Sequence, residues 1–150
     1  MKPSYKNLAK QALHDQRLVL CMGLRQARTP DIAPMAASCG FDAIYVDMEH
    51  SVISHDTTSA ICVAALGHGI TPLVRVPGHL ASDMSRVLDG GAQGVIIPHV
   101  NTADQARAII AACKFPPVGH RSVMGANPAL GYQAIPLADN NTRLNDDTLV

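Results

Sequence analysis

Asp47, Glu49 and His50 fall within four residues at the end of the apolar run AIYVDMEHS, residues 43–51. A carboxylate hydrogen-bonded to an imidazole fixes its tautomer and raises its basicity, which is what a general base requires. The same triplet is also what a strand surfacing into a polar loop looks like. Arg75 is flanked by Val74 and Val76 in the segment PLVRVPG, where an unpaired guanidinium would be costly to bury. Arg75 must therefore meet an anion, either a carboxylate of this protein or a substrate. Glu49 is either a partner behind Asp47 or a surface acid. His55, His68 and His79 fall in loops or at helix ends and read as solvated. Neither an H-E-x-x-H segment nor a Cys/His cluster is present, so a self-contained zinc site is not expected.

The elements that would position these groups alternate. A helix is expected over 4–14, with Leu8, Ala12 and Leu13 on one side, then a strand over 17–23. The segment TPDIAPMAASCG, 29–40, has Thr29 as N-cap, Pro30 at the first helical position and Gly40 beyond the end. Strands follow over 41–48, 71–77 and 92–100, and helices over 56–66, 79–91 and 101–113. Asn101 or Thr102 caps the last of these, with Ala103, Ala106, Ile109 and Ile110 on one face. An irregular stretch over 114–137 leads to a short polar helix near 138–144, and 146–150 reads as the opening of a fifth strand. Within the irregular stretch, PPVGHRSVMGA (116–126) is either a structural loop or a cover that binds an anion through Gly119, His120 and Arg121.

Four strand–helix units in succession imply parallel strands joined by right-handed crossovers. An open dinucleotide-type sheet should carry G-x-G-x-x-G after its first strand, and that place reads GLRQART. An eightfold β/α barrel is favoured, of which a chain of 150 residues supplies about half. Chemistry in such barrels gathers at the C-terminal strand ends. Those ends carry Arg25, then Asp47, Glu49 and His50, then Arg75, then His99. The expected organisation is one domain, 1–150, with an N-terminal helix over 1–16 and barrel units over 17–150.

Composition excludes other classes. The chain is 47% apolar, 16% charged, 3% aromatic and formally neutral. It lacks the basic stripe and interleaved aromatics of a nucleic-acid surface and any apolar run of the ~18 residues a membrane span needs. Cys21, Cys39, Cys62 and Cys113 form no C-x-x-C pair and read as reduced thiols of a cytoplasmic protein. The N-terminal segment lacks the apolar region of a signal peptide. Neither nucleic acid nor a membrane is an expected partner.

The segments FDAIYVDMEHS, TPLVRVPG, VLDGGAQGVIIPHVNTADQA and FPPVGHRS resemble, in order and spacing, the HpcH/HpaI aldolase family. That resemblance runs from about Leu18 to Val150. It implies a TIM-type (β/α)8 barrel of the phosphoenolpyruvate/pyruvate superfamily, with the first four to five units present. It implies a lyase that makes and cleaves carbon–carbon bonds between pyruvate and an aldehyde, with Mg²⁺ or Mn²⁺ chelating the pyruvate, and it implies as partners a small-molecule 2-oxo acid, an aldehyde and further copies of the chain. Carried over residue by residue, Asp47 and His50 become a proton-moving dyad, and Arg75 faces the keto oxygen and stabilises the enolate. Arg121 is expected to help bind substrate and Glu49 to play a supporting role. The family's metal ligands, a Glu and an Asp, are expected beyond Val150, so the chain alone should turn over weakly or not at all. The alternatives are a non-catalytic half-barrel that needs a partner chain and an acyl-CoA ester lyase of the same superfamily.

Overall fold

The computed structural model describes residues 5–150. Four parallel strands, β1 (Cys21–Leu24), β2 (Ala43–Asp47), β3 (Thr71–Arg75) and β4 (Gly94–Ile96), lie side by side in chain order. The order never reverses, as it must in a doubly wound sheet, and this is the strand order of one side of a β/α barrel. Helices α2 (Ile32–Ser38), α3 (His55–Gly67), α4 (Ala81–Asp89) and α5 (Ala103–Cys113) connect and cover the strands. The fold class is the one expected, an α/β protein built from the first units of a TIM-type barrel.

The alternation of side chains across the pleat divides the sheet. Leu24, Ile44, Val46, Val74 and Val95 turn toward the helices and pack with Ala33, Ile61, Ala65, Met84 and Ile109 in the main core. The residues between them, Gly23, Tyr45, Leu73, Asp47 and Arg75, share the opposite face. That face is tightly filled: a Cβ on Gly23 would come within 2.9 Å of the Tyr45 ring, and one on Gly94 within 2.8 Å of Leu73 and Leu149. Burial pushes the Cys62 thiol up to about 12 and Cys113 up to about 11, so both are neutral core groups.

Several boundaries differ from expectation, each for a local reason. β1 starts at Cys21 rather than 17, in register with Ala43; before it the Leu20 carbonyl accepts from the Asp42 and Ala43 amides, and Leu18 and Leu20 are left exposed. β4 is cut to three residues, since Pro98 and a left-handed His99 (φ 58°) turn the chain away. Asp31, not Thr29, caps α2, and its side chain makes no capping bond. Thr102 caps α5 as expected, in a reciprocal capping box with Gln105. Ile109 is buried on α5, but Ile110 and Ala103 stay exposed. The polar helix is longer than expected, α6 (Leu137–Asp147), and Leu149 bridges to Gly94 in parallel, as the opening of a fifth strand should.

The N-terminal helix closes the end of the sheet opposite the strand C-termini. It runs as α1 (Leu8–His14) and so begins later than expected, since residues 5–7 are not helical; Ser4 lies outside the described residues. Ala9 and Ala12 are buried while Leu8 and Leu13 face out, the reverse of the face expected. Small alanines let the helix lie close to the strand starts, where the Ala9 amide donates to Thr71 Oγ1 at 3.1 Å. Asn7, itself buried, caps α1 through Lys10 N (2.9 Å). It also donates to the carbonyls of Gln93 (2.9 Å) and Asp147 (2.8 Å). One side chain thus ties α1, the entry to β4 and the end of α6. Replacing it, Asn7→Ala, removes a cap and the Asp147 carbonyl's side-chain donor, while the Gln93 carbonyl keeps the Leu149 amide at 3.0 Å. A loss of about 2–3 kcal/mol in urea unfolding is expected, with the site at the other strand ends unchanged in its ligand affinity.

Candidate active site

At the C-terminal edge of the sheet the register sets Asp47 directly beside Arg75. Asp47 is fully buried, and a carboxylate there must be saturated with donors. Its Oδ1 accepts from Arg75 Nε at 3.0 Å, from Glu49 N at 3.1 Å and from His50 N at 3.0 Å. Its Oδ2 accepts from Arg75 Nη2 at 2.6 Å and Arg25 Nε at 3.0 Å. The amides at positions two and three residues on are a local turn that aspartate side chains favour. The Ser51 hydroxyl bonds back to the Asp47 carbonyl and tightens the same turn. The Arg75 guanidinium, helped by the His50 amide and Arg25, holds the Asp47 carboxyl well below the usual range, although burial alone would raise it. Asp47 in return raises Arg75.

Glu49 forms a second centre. Its side chain is only 10% exposed. Oε2 lies 3.3 Å from Arg75 Nε, while Oε1 lies 3.1 Å from His99 Nε2 and 3.7 Å from His50 Nε2. The carboxylate that the His50 ring faces is thus Glu49. The Asp47–His50 pair that the family resemblance implies is made through the His50 backbone amide instead. The reason is occupancy: two guanidiniums and two amides use every lone pair that Asp47 has. Glu49, expected to be secondary, links Arg75 to both imidazoles. Arg75 also lies 5.9 Å from the Tyr45 ring centroid, a contact with no signal in the sequence beyond strand register.

Arg121 is not part of this site. It is buried, stacks 4.6 Å over the Phe115 ring and pairs with Asp89 at 2.6 Å. Its neighbours Leu88, Ala92 and Gln93 precede β4, so it stands at the closed end of the sheet and braces the 116–126 loop against α4. His55, read as solvated, has a buried Nε2 without a partner among the described residues. His68 and His79 bond to the carbonyls of Ala64 (2.8 Å) and Pro98 (2.7 Å).

The chemistry of the site is that of an anion receptor with proton carriers at its rim. Two guanidiniums are oriented by a buried carboxylate, and two imidazoles share another. Among the described residues no group of three or more His, Cys, Asp or Glu side chains could hold a metal ion. The donor set around Asp47 is cationic and does not fit a divalent cation. Because the folded Asp47 carboxyl titrates below its unfolded value, its stabilisation is complete above the ordinary carboxylate pKa of roughly 3.9 and is lost as pH falls toward the folded value. Asp47→Asn is expected to cost about 3 kcal/mol at neutral pH. The gap between wild type and variant in denaturant titrations should narrow below pH ~4.

Residues 22–145 match the model of the HpcH/HpaI aldolase/citrate lyase family. The chain is 44% identical over 135 residues to a 4-hydroxy-4-methyl-2-oxoglutarate aldolase of Hapsidospora irregularis, covering 89% of this chain and 50% of the relative. It is 39% identical over 117 residues to a hydroxypyruvate/pyruvate aldolase of Sagittula stellata, covering 78% and 46%. A crystal structure of an HpcH/HpaI aldolase from Desulfitobacterium hafniense superposes with a TM-score of 0.86 at 30% identity, over 92% of this chain and 53% of that one. The chain spans about half the length of the curated relatives it matches. Parallel strands in barrel order, with the buried Asp47 and its two arginines at their C-terminal ends, stand within the matched residues, and the chain belongs to the HpcH/HpaI aldolase/citrate lyase family.

Proposed function

We propose that this chain carries the substrate-facing part of an aldolase joining and cleaving pyruvate and a carbonyl partner. The observation that supports this most is Arg75, fixed on two sides by Asp47 and Glu49. A cation held still by buried carboxylates stabilises developing negative charge with little reorganisation. In the cleavage direction a base takes the proton of the C4 hydroxyl of a 4-hydroxy-2-oxo acid. The C3–C4 bond breaks, the carbonyl product leaves, and the electron pair moves onto the C2 oxygen as an enolate. A proton delivered to C3 then releases pyruvate. Arg75 stabilises the enolate oxygen, His50 carries the proton with Glu49 orienting its ring, and Asp47 positions Arg75 rather than moving a proton itself.

Relatives support 2-oxo acid substrates, since one is named for 4-hydroxy-4-methyl-2-oxoglutarate and another for hydroxypyruvate and pyruvate. Cleavage of the first of these between C3 and C4 yields two pyruvates. Mg²⁺ or Mn²⁺, implied by the family resemblance, would supply Lewis-acid polarisation of the pyruvate oxygens. The residues described here do not fit it, and we assign its Glu and Asp ligands to later strands of a complete barrel. All four cysteines are free, which suits a reducing cytoplasm. No helix among the described residues is long and apolar enough to cross a membrane.

A second reading, a half-barrel that works only when completed by another chain, is favoured by an apolar groove of about 360 Å³ beside β4. Val95, Ile96, Val100, Ile110 and Val150 line it, and Ile96, Ile110 and Val150 are well exposed. Light scattering discriminates between the two readings: a stable monomer with pyruvate affinity favours the first, and assembly coupled to the gain of affinity favours the second. For the first, purified protein given 4-hydroxy-4-methyl-2-oxoglutarate should release pyruvate, if slowly. Arg75→Gln and His50→Ala should each lower that rate by about 10²-fold. A rate indifferent to His50→Ala would remove His50 from the mechanism.

A further inference from the structure

Of the two guanidiniums on Asp47, Arg75 has Nε and Nη2 committed to carboxylates and a side chain only 22% exposed. Arg25 is the opposite case. Only its Nε is engaged, at 3.0 Å from Asp47 Oδ2, and its side chain is 56% exposed. Both terminal nitrogens of Arg25 are without a partner among the described hydrogen bonds, at the open end of the sheet. The loop that carries it is fixed from outside. Arg28 Nη1 donates to the carbonyls of Arg25 (3.1 Å) and Ala27 (3.3 Å), and Ala27 packs on the core. Arg28 also adds a positive charge to the same loop. An arginine pinned at Nε by a buried carboxylate presents its terminal nitrogens as a pre-oriented donor pair, suited to a planar carboxylate.

We propose that Arg25 and its loop form the subsite for the second carboxylate of dicarboxylic 2-oxo acids, the class to which the 4-hydroxy-4-methyl-2-oxoglutarate of one relative belongs, and so set the preference over monocarboxylic ones. This rests on the aldolase reading, in which Arg75 is taken up by the keto oxygen. Asp47 then has two outputs. Through Arg75 it serves the reacting centre, and through Arg25 it sets what the far end of the substrate must carry. The strand order supports this division, since Arg25 follows β1 while Glu49, His50 and His99 cluster on the β2 to β4 side.

Calorimetric titration of the whole chain, with Mg²⁺ present, tests the subsite through binding alone. The probes are pyruvate, with one carboxylate, and 2-oxoglutarate, with two. Wild type should bind 2-oxoglutarate at least 10-fold more tightly than pyruvate. Arg25→Gln should remove that preference, weakening 2-oxoglutarate at least 10-fold more than pyruvate. Arg25→Lys, which keeps a charge beside Asp47 but has no fork, should also lose most of the preference. Equal weakening of both ligands would show that Arg25 acts only by holding Asp47 and would overturn the subsite, as would an unchanged preference in Arg25→Gln. A wild-type chain that binds neither ligand would overturn the aldolase reading itself, and this role with it.

Discussion

A carboxylate with no solvent exposure is the constraint on which the rest of this structure depends. Removing Asp47 from water is tolerable only if every lone pair is met. The fold meets them from three successive strands: Arg25 after β1, the turn amides after β2 and Arg75 on β3. Each donor exists because of something prior. The parallel register between β2 and β3 makes Arg75 a direct neighbour. The turn that follows β2 is closed by the Asp47 side chain and again by Ser51. The carboxylate therefore acts as a template for the strand ends, and its charge is what makes two arginines stand still.

The two ends of the sheet carry different duties. The entry end is sealed by α1, by the Asn7 bonds and by lysine ammonium groups on the last carbonyls of α6: Lys114 reaches Asn145 and Thr148, and Lys10 reaches Thr148. A second small core of Phe115, Ala129, Leu130 and Leu144 sits behind it. Nearly every polar group named there is paired within the protein. At the exit end, Arg25, His50 and His99 keep much of their surface open. His99 also holds a left-handed backbone, a conformation rare outside glycine and asparagine-like residues. Exposed cationic donors thus stand at the exit end, while the entry end is closed mostly by paired groups, with Arg121 Nε a buried exception.

The fold was largely legible in the sequence because hydrophobic runs and glycine stops alternate with unit-by-unit regularity. Boundaries were less so, since strand length is set by the neighbour: nothing in RLVLCMG says that pairing begins only at Cys21. The site residues Asp47, His50 and Arg75 were legible as strand-end positions, but their partners were not. The family resemblance pairs Asp47 with His50, three residues apart. The contact that outcompetes it, Arg25 with Asp47, spans twenty-two residues and two strands. Likewise the segment GHRS could not reveal that Arg121 turns inward to Asp89 and Phe115.

Arg121 and Arg75 show why residue type alone is a weak guide to function. Both are arginines paired with an aspartate at 2.6 Å and placed within reach of an aromatic ring. The difference lies in which partner is buried. Around Arg121 the guanidinium is sealed and Asp89 is partly exposed, so the pair closes a loop, and the remaining Nε donor is buried without a partner among the described residues, out of reach of solvent. Around Arg75 the carboxylate is sealed and the guanidinium reaches partly into solvent, so the pair presents a cation. Since Asp47 cannot be rehydrated without opening the strand ends, it cannot relax when a negatively charged ligand approaches its arginines. Pre-organisation of that kind follows from burying the anion rather than the cation, and it explains how a formally neutral chain can still offer an anion a fixed positive mouth.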